Sequence, residues 1–201
     1  IIMKLLYFTY MKVNKNINVL SLKIWLLTMI TLITLIVFVG GLTRLTESGL
    51  SITFWEVFKG VFPPFNLQEW NNYFNDYKKI PEYKLMNTEM SLDQFKVIFY
   101  WEYSHRMLAR LLGLLSIIPL IYFSITYKEF LNKYKRYFIL FILIVFQGFI
   151  GWYMVKSGLD NNLDVSHYRL AIHLSVALII LSLSLWFFFD INNIEKFNIK
   201  L

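Results

Sequence analysis

The chain has 201 residues, of which 57% are hydrophobic and 16% charged, with a mean hydropathy of +0.52. That excludes a disordered polymer and departs from a soluble domain, in which about a quarter of residues are charged. No cysteine is present, so disulfides, thiolate metal sites and iron–sulfur clusters are excluded. The net charge of +7 sits beside apolar blocks, where it acts as a topology signal and not as a nucleic-acid footprint.

In chain order, the first 23 residues hold Lys4, Lys12, Lys15 and Lys23 and no acid. The chain opens Ile-Ile-Met, with Met11-Lys12 as a second start just downstream, so residues 1–10 are expected to be non-native. Residues 24–42 form the first uncharged block long enough to cross a bilayer, since about 20 helical residues span a 30 Å core. No small-residue cleavage site follows, which argues against a cleaved signal peptide. A long connection, 43–101, carries mixed charge. Within it Thr53 with Glu56, Asn66 with Glu69 and Ser91 with Gln94 have capping-box spacing, punctuated by Gly60 and Pro63-Pro64. Trp55, Phe58, Trp70, Tyr73, Phe74 and Tyr77 recur at helical spacing, so short amphipathic helices are expected at the outer interface. Plain anchoring and a lid over a bound molecule both remain open as their role.

The second span is expected over 102–127, with Pro119 kinking it. A basic connection follows, with Lys128, Lys133, Lys135 and Arg136 against Glu129. The third span is expected over 137–155, where Gln147, Gly148 and Gly151 suggest close helix packing. The fourth, 170–189, is interrupted by His173, and 190–201 forms a tail. The Lys and Arg distribution places the 1–23 segment, the basic connection and both termini in the cytoplasm. The expected fold is an all-α integral membrane bundle of four transmembrane helices, with short interfacial helices in the long first outer loop. No internal repeat is evident.

Ionisable groups within a membrane are costly and mark function. Glu102 and His105 share a helix face, as do Arg106 and Arg110. A Glu102–Arg106 intrahelical pair is what spacing alone favours. His105 and His173 lie at matched depth on two helices that both enter from outside. In a cysteine-free four-helix bundle, two such imidazoles suggest axial ligation of haem iron, with Arg106 and Arg110 meeting the propionates on the outer side. His167 reads as a solvated loop residue.

Several motifs together resemble the haem A synthase family. They are Gly40-Gly41-Leu42-Thr43-Arg44-Leu45-Thr46-Glu47-Ser48-Gly49-Leu50-Ser51, the Pro63-Pro64 loop, and Glu102-Tyr103-Ser104-His105-Arg106. Gln147-Gly148-Phe149-Ile150-Gly151 through Ser157-Gly158-Leu159 and Val165-Ser166-His167-Tyr168-Arg169-Leu170-Ala171-Ile172-His173-Leu174 complete the set. The likeness runs from about residue 24 to 189 and fits the cysteine-free branch of proteobacteria and mitochondria. It implies an oxidoreductase that converts a methyl group of haem O to the formyl group of haem A for cytochrome c oxidase. Family members carry eight spans in two tandem bundles, the first holding substrate haem and the second a haem b. This chain resembles the first bundle, so the 190–201 tail is expected to precede a missing second bundle, unless two copies pair.

By that resemblance His105 and His173 are the axial groups for haem O, and Glu102 is the carboxylate acting in the oxidation. Arg106, Arg110, Arg44 and Arg169 are the candidate propionate partners. Haem O synthase, oxidase assembly factors, membrane lipid and a second copy of the chain are the expected partners, and nucleic acid is not. A bacterial inner membrane is the expected site, with the mitochondrial inner membrane as alternative. Two other readings stand beside this one: a bis-histidine b-type cytochrome that only carries electrons, and a non-catalytic membrane subunit.

Overall fold

The computed structural model describes residues 18–54, 59–127, 130, 134–160 and 165–198. Residues 1–10, the Thr53–Glu56 cap, Trp55, Phe58, Lys128, Glu129 and Lys133, for which expectations were given above, fall outside it in whole or part. Among the described residues six α-helices follow one another: α1 (Val19–Leu45), α2 (Leu67–Tyr77), α3 (Pro81–Met86), α4 (Leu92–Thr126), α5 (Tyr137–Asp160) and α6 (His167–Asn198). A single 3-10 turn, Lys59–Val61, precedes α2. There is no strand among the described residues.

The four long helices are each apolar and long enough to cross a membrane. They close a ring in which α1 packs on α4, α4 on α5, α5 on α6 and α6 on α1. Thus α4 and α6 stand at diagonal corners. The end carrying the long 46–91 connection is called outer here. Large apolar side chains point away from the bundle on all four helices, among them Leu27, Phe38, Ile118, Val145, Phe149 and Leu178. Only a lipid surround makes that exposure favourable, and the protein is a multi-pass membrane protein.

Local chemistry sets the helix ends. The side chain of Asn18 accepts from the Leu20 N–H at 3.0 Å and opens α1. Asn66 caps α2 by accepting from the Glu69 N–H at 2.8 Å. Ser91 and Gln94 form the reciprocal capping box that opens α4. That box moves the start of α4 to Leu92, well before the 102–127 span. At 1.5 Å per residue α4 is about 50 Å long, so its first turns stand outside a bilayer core. There they serve as a post for the loop helices: Trp70 and Tyr73 meet Phe99 with ring centroids 4.9 and 5.4 Å apart, and Phe74 stacks on Phe95 at 5.0 Å.

α1 ends in a Schellman turn, with Ser48 N–H donating to Thr43 O at 2.9 Å and Glu47 N–H to Arg44 O at 3.3 Å. Glu47 takes the left-handed position, φ 52°, where glycine is usual. The turn swings Leu50–Ile52 back over the bundle end. Beyond it, Tyr77 is fully buried, donates to Glu82 Oε1 at 2.7 Å and accepts from Asn87 Nδ2 at 2.9 Å. Burial first, then Glu82, pushes the phenol pKa far above its ordinary value, so it remains a donor.

Pro119 lies within continuous α4. Lacking an N–H, it frees the carbonyl of Leu115 one turn back. The indole of Trp25 on α1 donates to that oxygen at 2.7 Å. At the inner end Arg136 pairs with Asp190 and lies over the Tyr137 and Phe187 rings, joining the start of α5 to α6.

The buried apolar residues form two clusters. The inner one includes Met29, Ile33, Leu112, Ile144 and Ile180; the outer one includes Leu50, Ile52, Trp70, Phe95 and Phe99. Along every long helix, a stretch between the two belongs to neither.

Trp25→Phe orphans the Leu115 carbonyl and should cost about 1–3 kcal/mol in thermal unfolding in detergent. In a Pro119→Ala background, where the helix regains its own N–H, the same change should cost clearly less. Glu47→Gly should stabilise by about 1 kcal/mol, since glycine adopts positive φ freely.

Candidate functional site

The interrupted layer holds His105 on α4 and His173 on α6. Both helices run inward from the outer end; His105 is the fourteenth residue of α4, whose first turns stand outside the bilayer core, and His173 is the seventh of α6. Both rings are half-buried. They stand on the two diagonal helices. Each tip is turned to a glycine on a neighbouring helix. A Cβ on Gly40 of α1 would lie 3.1 Å from His105 Nε2, and one on Gly151 of α5 would lie 3.0 Å from His173 Cε1. Each ring thus occupies the room that a side chain at the glycine would need. His173 Nδ1 is buried without a hydrogen-bond partner among the described residues.

Sequence reading placed Gly148 with Gly151 as a packing glycine. The structure separates them, because a Cβ on Gly148 would meet nothing within 4 Å. Gln147, also read as a packing position, is a polar tether whose Nε2 donates to the His173 carbonyl at 2.8 Å. His167 is exposed at the start of α6. No trio of His, Asp or Glu side chains able to hold a bare metal ion occurs among the described residues.

One turn outward from His105, Glu102 is 4% exposed. Its Oε2 accepts from Ser51 Oγ at 2.7 Å and from the Ile52 N–H at 2.8 Å. Its Oε1 accepts from Arg106 through Nε, at 3.0 Å, and through Nη2. The intrahelical pair that the spacing favours is thus formed. Arg106 also donates from Nη2 to Ile52 O at 3.0 Å and from Nη1 to Phe54 O at 3.2 Å. Together the two side chains fasten the segment after α1 onto α4. Burying a carboxylate is expensive, and four donors with one full counter-charge offset that cost.

The other arginines are spread around this level. Arg110 shares with Arg106 a small pocket lined by Ile52, Phe54, Gly60 and Tyr103. Arg169 donates to Tyr153 O at 3.0 Å and lies 3.8 Å over the Tyr153 ring, at the α5–α6 contact. Arg44 stands in the last turn of α1. A cavity of about 350 Å³ opens between the 52–54 segment and the outer end of α5, with Arg106, Trp152 and Lys156 in its wall. Ser51 and Lys156 were not singled out by sequence reading. Ser51 carries no charge to betray it, and Lys156 looks like an ordinary helix-end lysine. Leu50 closes this region: it is buried against Gly158, where a Cβ would lie 2.7 Å from Leu50 Cδ2.

Ser51→Ala removes one hydrogen bond to a buried carboxylate and should cost about 1.5–3 kcal/mol. Arg106→Met strips the counter-charge and should cost more, about 3–5 kcal/mol. Thermal denaturation of both variants in one detergent checks the order.

A family model described as "COX15-CtaA: Cytochrome oxidase assembly protein" matches residues 23–200. The chain is 58% identical over 191 residues to the heme A synthase of Pelagibacter ubique, covering 95% of this chain and 57% of that protein. It is 46% identical over 169 residues to that of Parvibaculum lavamentivorans, covering 84% and 49%. It is 48% identical over 167 residues to that of Agrobacterium fabrum, covering 82% and 45%. The chain spans about half the length of the curated relatives it matches. No solved structure matches it.

Proposed function

This chain belongs to the COX15-CtaA family of cytochrome oxidase assembly proteins, and we propose that it is the substrate-holding half of a haem A synthase. On this reading the whole enzyme oxidises a methyl group of haem O to a formyl group, giving haem A for cytochrome c oxidase. One observation carries the reading. Two imidazoles stand on diagonal helices in a break of the apolar core, each with glycine in place of a side chain at its tip. The buried, unpartnered His173 Nδ1 supports a site whose hydrogen bonds are set when a group binds. These residues fit a flat group held by an imidazole on either face.

Bound there, haem supplies the iron redox centre, and this chain's residues supply position and charge. His105 and His173 would hold the iron. Arg106 and Arg110 are the principal propionate partners, with Arg44 and Arg169 further candidates. Lys156 joins them, since it shares a cavity wall with Arg106. Glu102 is the carboxylate that takes up a proton as the methyl group is oxidised. Both its oxygens are engaged, so Ser51 or the Ile52 N–H must give way for it to act. A haem b in a further four-helix bundle, or a second copy of this chain, completes the enzyme. Haem O synthase is the proposed donor of substrate. The location proposed is the bacterial inner membrane with both termini cytoplasmic, because Lys23, Lys135 and Arg136 lie at the inner end.

The engagement of Glu102 also favours a second reading, a b-type electron carrier in which that carboxylate only fastens the loop.

Haem titration of the chain in detergent should give a six-coordinate low-spin spectrum. His105→Ala and His173→Ala should each abolish it, and Gly40→Leu and Gly151→Leu should block binding by pushing the rings out of place. Normal spectra in both histidine variants would remove the site. With the complete enzyme, pyridine haemochrome assay of Glu102→Gln separates the two readings: lost haem A with retained haem binding marks an enzyme, and unchanged haem A marks the carboxylate as a fastener.

A further inference from the structure

We propose that Gln147 is a positioning residue for His173: its amide oxygen accepts a hydrogen bond from the His173 Nδ1–H and so leaves Nε2 free to ligate iron. The proposal rests on the reading of His173 as an axial ligand. Gln147 Nε2 donates to the His173 carbonyl at 2.8 Å, so the two residues already touch across the α5–α6 contact. His173 Nδ1 is buried and unpartnered among the described residues, and so is Gln147 Oε1. A protonated Nδ1 is a donor and an amide oxygen an acceptor. Two unsatisfied groups of opposite character therefore sit on residues already joined by a hydrogen bond.

The chemistry of iron ligation gives that pairing a purpose. A histidine that binds metal through one nitrogen commonly donates the other N–H to an acceptor, which fixes its tautomer and raises its basicity. α5 supplies both needs from one face. Gly151 clears the ring tip, and Gln147, four residues and thus one turn away, places an amide beside the same histidine. His105 has a matching glycine in Gly40. A stronger acceptor on Nδ1 gives the imidazole more anionic character, favours ferric over ferrous iron and lowers the midpoint potential.

The test uses the full chain in detergent, with ferric protoporphyrin IX as the probe. Dissociation constant, optical spectrum, low-spin electron paramagnetic resonance and midpoint potential are measured for wild type, Gln147→Leu, Gln147→Glu and His173→Ala. Gln147→Leu should weaken haem binding about 10–100-fold and raise the potential. Gln147→Glu keeps an acceptor, adds charge and should lower the potential below wild type. If both Gln147 variants lose only thermal stability, with potential and resonance spectrum unchanged, the residue is a helix tether and the inference is overturned. If Gln147→Leu does not fold, the potential of Gln147→Glu decides alone. His173→Ala keeps the outcomes apart: a wild-type spectrum there overturns the ligand reading itself. A lost spectrum there with unresponsive Gln147 variants overturns only the role given to Gln147.

Discussion

A ring of four close-packed helices has no spare volume at its axis, so an imidazole can reach inward only where the helix it faces gives up a side chain. Gly40 and Gly151 meet that condition for His105 and His173. The two pairs share one logic. In each helix hairpin, α1 with α4 and α5 with α6, the outgoing helix carries a glycine and the returning helix the histidine packed on it: Gly40 with His105 and Gly151 with His173. The arrangement repeats although the sequence does not. The layer between the inner and outer apolar clusters holds these two glycine–histidine pairs, with the buried Ile150 next to Gly151.

The outer cluster is held over that layer by a polar fastening. Glu102 and Arg106 grip the backbone of Ile52 and Phe54, and Ser51 adds its hydroxyl. A buried ion pair of this kind adds little net stability compared with apolar packing, but its hydrogen bonds demand a single geometry. It fixes where the chain goes after α1, and Leu50 against Gly158 extends the hold to α5. The same two charged residues neighbour His105 in sequence, so loop closure and the histidine level are mechanically joined on one helix. Any movement of Glu102 toward a ligand also loosens the cover.

The membrane explains features that water would forbid. With apolar side chains facing outward on every long helix, packing between helices cannot rely on the hydrophobic effect, and unsatisfied backbone groups are expensive. The pairing of the Trp25 indole with the carbonyl freed by Pro119 answers that cost and also registers α1 against α4. Arg136 with Asp190 does comparable work at the inner end, where water is near.

The sequence by itself determined the class of fold, the four apolar helices, the caps at Asn66 and Ser91 and the pair of histidines, because these depend on length, periodicity and local hydrogen bonding. It also contained the Glu102–Arg106 pair, a matter of spacing along one helix. Only the tertiary structure decided what lies opposite each of those residues. That Gly40 and Gly151 face imidazoles while Gly148 faces open space could not be read along the chain, since a glycine's neighbour belongs to another helix. The roles of Ser51, Gln147 and the Trp25 indole were hidden for the same reason, being contacts between segments far apart in sequence. The early start of α4 shows the two levels together: a local cap opens the helix at Leu92, and the stacking of Trp70, Tyr73 and Phe74 against its first turns gives the extra length a partner.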